Sequence, residues 1–215
     1  MADRPRGEEL FQLIEPVRAE LDAAHRAREA GLAACRRTIR ACGRAIRAIH
    51  RLQPDDAAAL TDEARVALRE AQSALKDHPA IFFAGFLHDA EKEYAEAVLC
   101  AAMVDGLPLP SCADVGVEAP AWLNGMAEAA SELRRHLLDR MREGNLDRAE
   151  QLMREMEDVY DALVTIDFPD AMVGGLRRTV DSLRAVLERT RSDVTMTLIQ
   201  TGLRTALEER GGDGR

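Results

Sequence analysis

Aromatic side chains are scarce in this sequence, and their scarcity limits what the protein can do. They make up 4% of the 215 residues, which leaves little ring area on which nucleic-acid bases could stack. Alanine, leucine, arginine and glutamate dominate instead, and these residues favour helices over strands. The composition therefore predicts an all-α protein and argues against a simple base-stacking platform.

Motifs for zinc, for a phosphate-binding loop and for a membrane span are also missing. The four cysteines include no C-x-x-C pair, and the five histidines match no metal or catalytic-triad spacing. No apolar segment typical of a signal peptide follows Met1, and no apolar run is long enough to span a membrane. We therefore expect reduced, buried thiols and a cytoplasmic protein that makes no membrane contact.

Positive charge is in deficit, with a formal net charge of −9, so the overall field does not steer this protein toward nucleic acid. One segment nevertheless gathers arginines on one helical face: Arg37, Arg40, Arg44, Arg47 and Arg51. Apolar residues recur on the opposite face: Leu32, Cys35, Ile39, Cys42, Ile46 and Ile49. The arginine stripe could follow a phosphate backbone, or it could be a solvated face that pairs with acids of a neighbouring helix.

Proline and glycine clusters divide the chain into helical segments. The predicted helices span about residues 8–52, 57–76, 80–104, 121–142, 146–166 and 171–209. We predict a single-domain bundle of six to seven helices over residues 1–215, with long first and last helices and a disordered tail at about 210–215. Helices this long are hard to bury in a monomer, which suggests contacts within an oligomer.

Acidic residues form two candidate metal-binding groups. Asp89, Glu93 and Glu96 share one helical face, and oxygen-rich clusters of this kind suit Mg²⁺ or Mn²⁺. A divalent cation held there could support phosphodiester hydrolysis. Asp147 and Glu150 lie early in a later helix, where acids also favour the positive helix end. On spacing alone, an ordinary acidic surface for the first group and a capping role for the second are the simpler explanations.

Several segments, taken together, resemble the translin family, which includes translin-associated factor X. The segment 92–97, Lys-Glu-Tyr-Ala-Glu-Ala, is similar to the family's Q-E-Y-V-E-A, and 144–147 matches its G-D/N-x-D turn. Further similarities run in chain order through segments 27–51, 130–135, 159–161 and 176–194. The resemblance implies an all-α fold of about seven helices that assembles into a hollow, octamer-like homo-oligomer with a basic inner surface.

The resemblance also implies a ligand. Family members hold single-stranded RNA, and in some cases single-stranded DNA, on the inner surface of the particle. Candidate contacts are Arg37, Arg40, Arg44, Arg47, Arg134, Arg135, Arg177 and Arg191. An acidic exterior around such a lumen would reconcile the negative net charge with nucleic-acid binding.

The catalytic branch of the family consists of Mg²⁺-dependent endoribonucleases. Carried over to this chain, its acids fall on Glu93, Glu96 and Asp147, while a further family glutamate falls on Gln151. Glu150 could replace that glutamate as a metal ligand. Gln151 and Ser131 favour a non-catalytic binding protein like translin, whereas the retained acid pair favours a nuclease. A helical scaffold whose arginines only form ion pairs is the third hypothesis.

Overall fold

The structure, a computed structural model, describes residues 6–212 as helices joined by short turns. Six helices are long and three are single turns. In chain order they are α1 (Arg6–His50), α2 (Pro54–Leu75), α3 (Pro79–Phe82), α4 (Phe86–Asp105), α5 (Cys112–Val115), α6 (Ala119–Arg142), α7 (Leu146–Leu163), α8 (Asp170–Val173) and α9 (Leu176–Gly212). No strand occurs within residues 6–212, so the all-α prediction is confirmed.

Two of the predicted helices are interrupted at glycines. Gly85, with φ at 99°, separates α3 from α4 inside the predicted 80–104 helix. Gly174 and Gly175, at 59° and 80°, separate α8 from α9 in the same way. Glycine adopts these positive φ values without the penalty of a Cβ, so the chain can turn there. Helix α9 then continues to Gly212, whereas residues 213–215 of the predicted tail lie outside the described residues.

Small side chains dominate the core and bring the helices close together. Helix α1 packs against α2 and α4, while α6 packs against α4, α7 and α9. Alanines at these contacts, such as Ala45, Ala64 and Ala95, have no exposed surface. Because alanine projects little from the helix surface, backbones approach closely and side chains of neighbouring helices can meet.

The buried face of α1 includes half of the predicted apolar stripe, since Cys35, Cys42 and Ile49 are 1–5% exposed. Ile39, assigned to that stripe, is 37% exposed, and Leu32 is half-buried. Ala34, Ala41 and Ala48, which the stripe did not include, are buried to the same extent, at 1–5% exposure. The prediction omitted these alanines, whose small side chains let α2 and α4 pack closely against α1.

Both ends of the bundle extend into arms with exposed apolar residues. No residue of α1 before Gly31, and none of α9 after Val194 among those whose burial is described, is buried. The exposed apolar residues of the two arms are Leu10, Phe11, Leu13, Ile14, Val17, Leu21, Met196, Leu198, Ile199, Leu203 and Leu207. Such surface suits contacts with other chains. Among the described helices, none is both long and apolar enough to cross a membrane.

Candidate metal centre

Three carboxylates from two helices converge where α4 and α6 pack together. Glu93 and Glu96 lie three residues apart on one face of α4, and Glu128 reaches them from α6. Their carboxylate oxygens lie within 4.8 Å of one another, and all three side chains are half-buried. We call these residues the acid cluster. Three convergent carboxylates fit a hard divalent cation such as Mg²⁺ or Mn²⁺.

Gly125 explains how Glu128 reaches the other two acids. A Cβ atom at Gly125 would lie 2.7 Å from the Lys92 carbonyl oxygen and 2.9 Å from the Glu96 backbone nitrogen. The backbones of α4 and α6 therefore touch at this point. Since Glu128 follows three residues after Gly125 on the same helical face, its side chain is delivered to the acid cluster.

Lys92 contributes a positive charge to the acid cluster. Its Nζ atom lies 2.7 Å from Glu128 Oε1 and 3.8 Å from Glu93 Oε1. Burial lowers the pKa of Lys92, but the hydrogen bond to Glu128 and the charges of Glu128, Glu93 and Glu96 outweigh burial, so the net shift is upward. The ammonium group therefore remains charged and partly balances the carboxylates.

Two carboxylates of the acid cluster, those of α4, have a raised pKa. Burial, followed by the charges of Glu93, Glu128 and Glu132, raises the pKa of Glu96 to about 8. Burial also raises the pKa of Glu93, with Glu128 adding to the shift and Lys92 opposing it. This repulsion is the kind that a bound cation relieves, so the charges as well as the geometry fit a metal ion.

A fourth carboxylate, Glu132, lies beside the acid cluster and is bonded to α1. Its Oε2 atom lies 2.7 Å from Nε2 of His50, whose side chain is only 4% exposed. The other ring nitrogen of His50 is buried and has no hydrogen-bond partner among the described residues. The contact ties the end of α1 to α6 and holds Glu132 in place next to the acids of α4.

Asp147 and Glu150 do not join the acid cluster in this chain. The neighbouring Arg148 donates to the carbonyl oxygens of Met103 and Val104 at 3.1 Å, which places the start of α7 at the end of α4. Met103 follows the nearest acid of the cluster by seven residues, or about 10 Å of helix. Asp147 is exposed, and Glu150 lies 3.7 Å from Arg154.

Sequence reasoning missed Glu128, although a local signal for it exists. Glu128 and Glu132 lie four residues apart, so they share one face of α6. Gly125 precedes Glu128 by about one turn and marks a close approach of another helix. Carry-over from the family motifs favoured Asp147 over this pair. Gln151, which replaces the family glutamate, accepts a hydrogen bond from Arg148 at 3.3 Å.

The arginine stripe of α1 divides into two groups. Arg37 forms an ion pair with Glu70 of α2, and Arg44 lies 3.3 Å from Glu63 of the same helix. Within the stripe, Arg40, Arg47 and Arg51 are exposed and form no ion pair with the described residues. Some arginines of the stripe therefore pair with acids of a neighbouring helix, as one hypothesis predicted. Others remain exposed, as contact with a phosphate backbone would require.

One of the unpaired arginines, Arg47, lies on the side of α1 that carries His50. Burial, and then the charges of Glu93 and Glu96, raise the pKa of Cys42 to about 12, so the buried face of α1 lies close to these acids. Arg47 precedes His50 by three residues and lies beside it on the helix surface. Since His50 contacts Glu132, Arg47 is on the side of α1 that borders the acids.

Two predicted nucleic-acid contacts form bonds within the chain. Arg134 donates to Thr190 Oγ1 at 2.9 Å and to Asp193 Oδ2 at 2.8 Å, which fastens α6 to α9. Arg191 donates through two nitrogens to Glu157 Oε1, at 2.7 and 3.1 Å. These guanidinium groups are therefore engaged in helix–helix contacts.

The remaining two predicted contacts are exposed. Arg177 lies 3.9 Å from Asp167 in a fully solvated setting, where an ion pair is weak. Arg135 is exposed, has no ion pair among the described side chains, and lines a cleft together with Glu132. Arg135, like Arg40 and Arg47, is therefore an exposed cation without an ion pair among the described residues.

Comparison with known proteins finds solved structures with the same fold. Two solved structures of AfC3PO, one in complex with duplex RNA, match with a TM-score of 0.81 and 31% identity, covering 87% of this chain and 97% of theirs. Apo-NeC3PO, at 18% identity, shares the fold with a TM-score of 0.75, covering 92% of this chain and 100% of its own. No protein-family model matches.

A curated relative supports the same relationship over part of the chain. An uncharacterized protein of Methanocaldococcus jannaschii is 32% identical over 119 residues, which span 55% of this chain and 53% of the relative's length. The similarity to AfC3PO covers nearly all of that structure, at more than 30% identity. Together with the all-α fold, it shows that this chain belongs to the translin family.

Proposed function

We propose that this chain binds RNA and cleaves it with a divalent cation held by Glu93, Glu96 and Glu128. The observation that carries the proposal is the convergence of these three carboxylates within 4.8 Å at the contact between α4 and α6. Clustered, half-buried acids are unfavourable unless a cation compensates them. Glu128 here takes the place that the family motifs suggested for Asp147.

In this proposal, the residues around the acid cluster have different roles in phosphodiester cleavage. Mg²⁺ or Mn²⁺, when bound, supplies a Lewis acid that activates water and stabilises developing negative charge. The three glutamates hold the cation, and His50 keeps Glu132 beside them. Exposed arginines position the strand through its phosphates: Arg40, Arg47 and Arg135. Binding through phosphates also suits a chain with few aromatic residues.

The substrate and the assembly are part of the proposal. AfC3PO has been solved in complex with duplex RNA, which supports RNA as the ligand of this related chain. We propose single-stranded RNA as the cleaved form, with single-stranded DNA as a further ligand. The exposed apolar arms of α1 and α9 would form the contacts of an octamer-like homo-oligomer that encloses the basic surface.

A cleavage assay tests this proposal directly. A labelled single-stranded RNA is incubated with the protein in Mg²⁺, in Mn²⁺ and in EDTA. We expect cutting in either metal, no cutting in EDTA, and no cutting by a Glu93→Ala/Glu96→Ala variant. Asp158→Ala/Asp161→Ala removes two exposed acids of α7 and should cut normally. Cleavage that persists in EDTA or in the Glu93→Ala/Glu96→Ala variant would show the proposal to be wrong.

A non-catalytic binding protein is the second candidate, and two observations favour it. The Lys92 ammonium already neutralises part of the acid cluster, and Gln151 replaces a family acid. Tight RNA binding without cutting under any metal condition would support this candidate.

The two groups of arginines on α1 should differ in their effect on RNA affinity. We expect Arg40→Ala/Arg47→Ala to weaken single-stranded RNA binding roughly tenfold or more. The slope of the logarithm of the binding constant against the logarithm of the salt concentration should become shallower by about 1.4, because two arginines no longer neutralise phosphates. Arg37→Ala/Arg44→Ala should have a smaller effect, because acids of α2 already pair these side chains. Fluorescence anisotropy over a range of salt concentrations measures the RNA affinity and its salt dependence. Equal losses of affinity in the two double variants would show that the paired and unpaired arginines do not differ in RNA binding.

A further inference from the structure

Lysine is used sparingly in this chain, and one lysine lies at the acid cluster. Of 29 basic residues only Lys76 and Lys92 are lysines, and the rest are arginines. Lys76, just after the end of α2, is exposed and has no ion pair within the described part of the chain. Lys92 is the opposite case, since it is partly buried among carboxylates. The two lysines thus provide a natural comparison.

The contacts of Lys92 are made with the groups that would bind a cation. Its Nζ lies 2.7 Å from Glu128 Oε1, a charge-assisted hydrogen bond, and 3.8 Å from Glu93 Oε1. Two of the three carboxylates are therefore in contact with a cation that belongs to the chain itself. A lysine side chain is long and flexible enough to leave such a position without moving the helix.

We propose that Lys92 is an internal counterion that competes with a divalent cation for Glu128 and Glu93. The inference rests on the proposed metal site and adds a regulatory element to it. Without metal, the ammonium group compensates the acids and stabilises the contact between α4 and α6. Metal binding displaces the ammonium group, so the chain binds metal more weakly than the three carboxylates alone would allow. Lys92 therefore acts on the metal through its contacts with the ligands and does not bind the metal itself.

Metal titration of matched variants tests the competition. Mn²⁺ binding is measured by calorimetry at one pH and salt concentration for the unmodified chain and for Lys92→Gln, Lys92→Arg and Lys76→Gln. We expect Lys92→Gln to bind Mn²⁺ at least about tenfold more tightly, because one positive charge beside the ligands is gone. Lys92→Arg, which keeps the charge, and Lys76→Gln should stay within about twofold of the unmodified chain.

Thermal unfolding in EDTA supplies a readout that is independent of metal. Lys92→Gln should unfold several degrees lower than the unmodified chain, because the acids are then uncompensated, whereas Lys76→Gln should not change the midpoint. Equal Mn²⁺ affinity in Lys92→Gln and the unmodified chain would overturn the inference but leave the proposed nuclease intact. Absence of Mn²⁺ binding in both would overturn the metal site and the inference together.

The small number of lysines allows the displacement to be observed directly. Protein labelled with ¹³C at the lysine ε-carbon gives one signal each for Lys76 and Lys92. Addition of Mg²⁺ should shift the Lys92 signal toward the position of an exposed lysine and leave the Lys76 signal unchanged. If Mg²⁺ binds, by calorimetry, and the Lys92 signal stays in place, the ammonium group is not displaced and the inference fails.

Discussion

Replacing Glu128 with glutamine should abolish most of the metal-dependent activity of this chain. We expect Glu128→Gln to reduce Mg²⁺-dependent RNA cleavage by at least about 100-fold, since loss of groups that only support a metal ligand already costs roughly 10–100-fold. The change keeps the size of the side chain but removes an anionic ligand from the acid cluster. Cleavage rates and Mn²⁺ affinity, measured on the same preparations, should fall together.

Asp147→Asn is the matched control for Glu128→Gln. It removes an acid that the family motifs suggested as a ligand but that the structure leaves exposed at the start of α7. We expect its cleavage rate to stay within about threefold of the unmodified chain, as for most surface substitutions. The reverse result, loss with Asp147→Asn and activity with Glu128→Gln, would mean that the working site is not the cluster formed within this chain.

Gly125→Ala should have the second large effect, on stability and on the metal site together. The added Cβ would lie 2.7 Å from a carbonyl oxygen and 2.9 Å from a backbone nitrogen of α4, and neither atom can move alone. Overpacking of this kind costs about 1–3 kcal/mol of unfolding free energy. In a chain of this length, the unfolding midpoint would fall by about 2–4 °C for each kcal/mol. Since α4 and α6 carry the ligands, Mn²⁺ affinity should fall as well.

Gly43→Ala separates this packing effect from the general effect of replacing a helical glycine. A Cβ atom at Gly43 would meet only Arg47 Nη1, at 3.7 Å. Alanine in an open helical position should therefore stabilise the chain by about 0.5–1 kcal/mol. Calorimetric unfolding of the two variants should give shifts of opposite sign. A shift of the same sign in both would show that the contact at Gly125 is not tight.

Much of the helical architecture could be predicted from local patterns. Helix α1, the turn at Gly144 and the start of α7 follow from apolar periodicity and from residues that end or begin helices. The breaks at Gly85 and Gly174 were missed, because an isolated glycine inside a helical pattern is often tolerated. Whether glycine ends a helix depends on where the following helix docks.

What the sequence by itself determined about the site is the part that lies within single helices. The spacing of Glu93 and Glu96 puts them on one face of α4, and the repeat of the arginines puts them on one face of α1. Helical geometry alone decides such relations, so they hold whatever surrounds the helix. The resemblance to the translin family added the identity of the fold, which the comparisons confirm.

The tertiary structure alone decided which acids meet and which arginines are free. Glu128 joins Glu93, and Lys92 lies between them, because α6 touches α4 at Gly125, far away in the sequence. The docking of α2 in turn pairs Arg37 and Arg44 with acids and leaves other arginines of the stripe without an ion pair among the described residues. These relations depend on close contacts between helices through small residues. Apolar periodicity indicates which face of a helix is apolar. It does not indicate which other helix covers that face or at which residues the two helices make contact.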